Sequence, residues 1–201
     1  MVPVAHGTPA APLQETPRVP LPRRPLVGDR VRRWYERELG WAVVPGARVR
    51  LRTGLRFDVI EVPAAAGRAV CERLGPHATG PVALHGTVLR FLVAAGAADE
   101  LPGLLDWLEW GPLARDVRAV GAGGMIDAPL PPAIPGPQGA AVWLRPPEPG
   151  CEVEPTLPAL TGLGGGAQAS PGPDLVRLVD AAATECHRAR LLRAAQPLAF
   201  W

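Results

Sequence analysis

Proline and glycine constrain this chain more than any other feature of its sequence. Twenty-six prolines and 23 glycines make up about a quarter of its 201 residues. Proline lacks a backbone donor and glycine weakens ordered elements, so neither can be spread evenly through helices and strands. Their distribution therefore maps the fold. Residues 1–27 carry a proline every few positions, which predicts an extended, polyproline-like tail. Residues 151–172 are again rich in both and read as a linker. Between them, a body of about 120 residues (28–150) confines proline and glycine to turns and element ends.

Within that body the apolar periodicity alternates between two kinds of element. Val31, Trp34, Tyr35 and Leu39 recur at helical spacing until Gly40. Short strands are expected at Trp41–Val44 and Phe57–Val62. Pro63 suits the first position of a helix that carries Ala66, Val70 and Leu74 and closes at Gly75. Val82–Leu84 and Thr87–Val93 read as strands about a His85-Gly86 turn. A third helix opens at Asp99 or Glu100, turns Leu101, Leu104, Leu105 and Leu108 inward and stops by Gly111. Asp116–Val120 and Gly124–Ala128 predict a strand pair, and Ala140–Leu144 one more strand. From Pro173, a final helix aligns Leu175, Leu178, Val179, Ala182 and Cys186. The expected class is α+β, a mixed and partly antiparallel sheet with flanking helices. Residues 173–201 would form a separate C-terminal helix with an apolar end. Trp34, Trp41 and Trp107 fall on apolar stripes, which leaves Trp110 and Trp201 as exposed stacking candidates.

The near-neutral net charge of +2 hides a division. Residues 1–56 carry 11 arginines against Glu15, Asp29, Glu36 and Glu38, and the remainder carries 10 arginines against 15 acids. A basic leading segment on an acidic body points toward nucleic acid or another anionic surface. All 21 basic residues are arginine, and asparagine is absent as well. That bias fits GC-rich codon usage, so the arginine count is not itself a sign of phosphate recognition. No stretch offers roughly 18 unbroken apolar residues for a membrane span. The N-terminal sequence lacks the pattern of a secretory leader. Cys71, Cys151 and Cys186 form no closely spaced pair. Together these features lead us to expect a cytoplasmic protein without disulfides or a structural metal.

Metal-dependent nucleotidyl transfer needs two or three acids on one face. Asp58, Glu61, Asp116 and Asp127 lie on the expected strands, with Asp58 and Glu61 three apart and so on opposite faces. Four stretches around them stand in a fixed order. They are Trp34-Tyr35 through Gly40-Trp41 to Pro45, then Thr53-Gly54 followed by Phe57–Pro63. Next come Gly86–Phe91, and then Arg115-Asp116-Val117-Arg118 with Gly123-Gly124 and Ala128–Pro131. This order resembles the bifunctional DNA primase/polymerase (prim-pol) domain of the archaeo-eukaryotic primase superfamily, particularly its short actinobacterial-type members. The resemblance spans about residues 30–150. It implies Glu61 and Asp116 as catalytic acids, with Mg²⁺ or Mn²⁺ held by them and by Asp58 if the chain is active.

Two positions depart from that pattern. Val59 stands where the family has the first of its paired acids, and Val88 where it has a phosphate-binding histidine. His85 is three residues from Val88 and is expected on the opposite strand face. The departures remove a shared metal ligand and a phosphate contact, so the resemblance implies a degenerate, non-catalytic member without a cofactor. Such a protein would bind nucleic acid or nucleotide through Arg32, Arg33, Arg48, Arg50, Arg52, Arg56 and Arg118. Gly121–Gly124 could cradle a phosphate through its N–H groups or serve only as a turn. Two alternatives stay open: an active metal-dependent primase/polymerase, and a protein-interaction module that uses residues 173–201.

Overall fold

A computed structural model of the chain describes residues 27–44, 46–160 and 173–195. The leading elements are α1 (Val27–Glu38), β1 (Val43–Val44), β2 (Arg50–Arg52), β3 (Phe57–Pro63), α2 (Ala64–Leu74) and the single turn α3 (Pro76–Thr79). They are followed by β4 (Val82–His85), β5 (Val88–Ala94), α4 (Ala97–Trp107), β6 (Arg118–Val120), β7 (Met125–Asp127), β8 (Val142–Arg145) and α5 (Leu175–Ala195). The fold is α+β. Among the described residues, no helix is long and apolar enough to cross a membrane.

Strand β3 organises the molecule. It pairs antiparallel with β5 on one side and β6 on the other, and β4 and β8 extend the sheet to the order β6-β3-β5-β4-β8. The run β3-α2-β4-β5-α4-β6 with this strand order is the split βαβ arrangement. Alternation along β3 sends Ile60 and Val62 to one face and Phe57 and Val59 to the other. Ile60, Val62, Leu89, Phe91 and Val93 meet α2, α4 and α5 in one apolar cluster. Gly67 allows α2 to close on the sheet, since a Cβ there would lie 2.7 Å from the Leu89 Cβ.

The opposite face is covered by α1 and a small sheet of order β1-β2-β7. Val59 and Leu92 pack there with Val31, Tyr35, Leu51 and Ile126. Tyr35 is buried, and its hydroxyl donates to the Pro129 carbonyl at 2.7 Å and accepts from Trp143 Nε1 at 3.1 Å. Burial raises this phenol well above its ordinary range, and the Trp143 hydrogen bond only partly offsets the rise.

Several expectations need correction. β6 and β7 do not pair with each other: β6 joins β3, while β7 joins β2 in the small sheet. The Thr53-Gly54 corner explains this. Thr53 N–H donates to the Gly124 carbonyl and Thr53 Oγ1 to the Gly121 carbonyl. Gly54 has φ +85°, and a Cβ there would lie 2.2 Å from the Ala122 Cα. The corner thus occupies the space beside the turn and hands β7 to β2. Helix α4 begins before Asp99 because Asp58 of β3 caps it, accepting from Gly96 N–H at 2.9 Å and Ala98 N–H at 3.0 Å. Trp107 is 71% exposed, whereas Trp110 folds inward and donates Nε1–H to Asp180 of α5 at 3.0 Å.

The C-terminal helix is no separate unit. Leu175, Leu178, Val179, Ala182 and Cys186 are buried in the main apolar cluster, so the stripe expected to take a partner is itself core. Burial pushes the Cys186 thiol up to about 12, and the nearby Asp116 carboxylate adds to the shift. Part of the expected linker is also structural, because Val153 and Leu157 are buried against the α1 side. Residues 1–26, 161–172 and the end 196–201, with Phe200 and Trp201, lie outside the described residues.

Candidate functional site

Directly opposite residues in an antiparallel sheet share a face, so the strand register sets out the site. Glu61 lies opposite Arg118 of β6 and opposite Arg90 of β5. Arg90 in turn faces Ala83, which faces Trp143. The result is one row across all five strands: Arg118, Glu61, Arg90, Ala83, Trp143. Glu61 Oε1 accepts from Arg90 Nε at 2.7 Å, with both side chains mostly buried. Arg90 Nη1 is buried and has no hydrogen-bond partner among the described residues. Arg118 stands exposed on the edge strand.

The rows on either side are not acidic. On one side Val59 lies between Val120 and Leu92, and Val59 and Leu92 are fully buried. On the other, Val88 faces Pro63 and His85. The β4–β5 hairpin places His85 directly across from Val88, so the two share a face, contrary to the sequence expectation. Chain alternation alone does not decide this, because the Gly86-Thr87 turn reverses direction between them.

The three acids expected to share metal ions are dispersed. Asp58 points to the helix side of the sheet, buried as the cap of α4. Asp116 also lies toward the helices, where Arg190 Nη2 of α5 donates at 2.9 Å and Arg193 stands 3.9 Å away. Of the three, Glu61 alone remains on the other face, bound by Arg90 and opposite Arg118 in the strand register. Among the described residues, no group of three or more His, Cys, Asp or Glu is placed to hold a metal ion. The donor set therefore does not fit the paired Mg²⁺ or Mn²⁺ ions of nucleotidyl transfer.

The seven arginines chosen from sequence divide by their partners. Arg32 pairs with Glu36 at 3.1 Å, Arg56 with Glu154 at 2.6 Å and Arg48 with Asp127 at 3.4 Å. The Glu154 carboxyl is held below its ordinary range, first by its own backbone N–H and also by Arg56. Arg33, Arg50, Arg52 and Arg118 have no carboxylate within ion-pair distance among the described residues. Arg50 and Arg52 flank buried Leu51 and are exposed on the small sheet. On α1, Arg30, Arg33 and Arg37, together with Glu38, border a depression of about 280 Å³ with Trp34 and Ile134. The Gly121–Gly124 segment is a tight turn, with Gly124 N–H donating to the Gly121 carbonyl at 3.0 Å.

Arg90 went unnoticed in the sequence as a site residue, although its spacing from Val88 and the β3–β5 pairing together imply its face. Asp127 was visible only as one more strand acid; its neighbours His85 and Arg48 come from distant segments. No protein-family model, curated protein or solved structure matches this chain.

Proposed function

We propose that this protein is a non-catalytic, prim-pol-like scaffold that binds a phosphate-bearing ligand, a nucleic acid strand or a nucleotide. One observation carries the reading. Where the resembled polymerase face would gather acids, this chain flanks one carboxylate, Glu61, with arginines at both neighbouring register positions, Arg90 bound to it and Arg118 unpaired on the edge strand. Three adjacent formal charges of that kind sum to a cation, which attracts phosphate and repels Mg²⁺. The unpaired Arg50 and Arg52 and the Arg30, Arg33 and Arg37 set beside Trp34 add cationic surface of the kind a backbone can follow.

The test is binding of a fluorescently labelled single-stranded oligonucleotide across a salt series. Binding at low ionic strength that weakens steeply with added salt is expected. Absence of binding at the lowest salt would sink the reading. A parallel primer-synthesis assay with Mg²⁺ or Mn²⁺ is expected to yield no product, and product that survives Asp116→Ala would overturn both the non-catalytic reading and the site implied by resemblance.

A further inference from the structure

A cavity of about 330 Å³ lies beside the end of β7, between α1 and the segments that flank β2 and β8. That is near the lower bound for small-molecule sites. Val31, Val49 and Leu130 give it aliphatic walls, and Arg48, His85, Asp127 and Gln138 supply its polar side. The mix is unlike a phosphate site, which would converge cations.

Asp127 decides what can enter. Its side chain is 25% exposed, and its nearest partners are Arg48 Nη1 at 3.4 Å and His85 Nε2 at 3.7 Å. Both distances exceed those of a good charge-assisted hydrogen bond. Arg48 is itself 78% exposed at the mouth, so it does not close off the carboxylate. The cavity thus holds a largely buried acceptor whose bonding capacity is poorly used. A carboxylate only accepts, and its two oxygens fit two parallel N–H donors. The aliphatic walls favour a flat ring to carry them.

We propose that this cavity binds a guanine-type base, with its N1–H and 2-amino groups on the Asp127 carboxylate and Arg48 at the mouth for a phosphate. Adenine and cytosine offer one amino group beside a ring acceptor, and uracil offers one N–H between two carbonyls. Each sets an acceptor against the carboxylate. The proposal goes beyond the reading above, because a free nucleoside needs none of the Arg118–Glu61–Arg90 row.

Calorimetric titration of the full chain with guanosine, GMP, AMP, CMP and UMP tests it. Guanosine and GMP are expected to bind, GMP more tightly, with the other nucleotides weaker by roughly tenfold or more, the worth of an unpaired buried polar group. Asp127→Asn replaces one acceptor oxygen by a donor and should cost guanosine a similar factor. Ala47→Trp, at an exposed position on the cavity lining, should block the site without touching the core. If Asp127→Asn unfolds, as judged by circular dichroism, Ala47→Trp decides alone. Equal binding of all four nucleotides, no binding of guanosine at millimolar concentration, or guanosine binding unchanged by Ala47→Trp would each overturn the proposal. Loss of oligonucleotide binding with guanosine binding intact would count against the arginine row and leave the cavity assignment standing.

Discussion

The two faces of the five-stranded sheet are built from the same strands and finished in opposite ways. On the helix side, apolar residues of β3, β4 and β5 pack under α2, α4 and α5, and the acid that β3 turns to that side, Asp58, is consumed as a helix cap. On the other side the apolar rows cover only part of the face, and beyond Val59 and Leu92 the sheet presents Arg118, Glu61 and Arg90. The contrast separates an acid that is structural from charge that, on the function proposed above, is left for a ligand. It also separates Asp58 and Glu61, three residues apart on one strand, into unrelated roles.

If Asp58 belongs to the closed face, removing it should hurt folding and spare binding. Asp58→Ala leaves two N–H groups at the start of α4 without their acceptor, and chemical denaturation should show a loss of about 3 kcal/mol. Asp58→Asn keeps an acceptor oxygen and should lose clearly less. Next in size, Tyr35→Phe strands the Pro129 carbonyl and the Trp143 N–H, at an expected cost of about 1–2 kcal/mol in the same measurement. On the open face the ranking reverses. Arg118→Ala should leave stability within about 0.5 kcal/mol yet weaken oligonucleotide binding about fivefold at low salt, as the loss of one nearby charge in water implies. Smallest of all, Asp116→Ala breaks a partly exposed pair with Arg190 and should cost under about 1 kcal/mol, with oligonucleotide binding unchanged. A strong binding defect in that variant would break the division between faces.

Local chemistry made much of the fold legible. The alternation of Phe57–Val62, the Pro63 and Gly75 boundaries and the stripe of the last helix all carry their signal within a few residues. Pairing partners were less accessible, because β6 and β7 are three residues each and their partners depend on the distant Thr53-Gly54 corner. The acids were harder still. Nothing near Asp58 announces that Gly96 and Ala98 will donate to it, or near Asp116 that Arg190 will. A carboxylate in a strand is compatible with a ligand, a cap or an ion pair, and only the tertiary neighbours choose.

Glu61→Gln tests the central claim most directly, because the two possible roles of that residue predict opposite signs. As the lone negative charge between Arg118 and Arg90, Glu61 should oppose phosphate binding. Its neutralisation should therefore tighten single-stranded oligonucleotide binding, by about fivefold at low ionic strength, and steepen the dependence on salt. Weaker binding in Glu61→Gln, or affinity and salt dependence equal to those of the parent chain, would contradict a phosphate-binding role for this face.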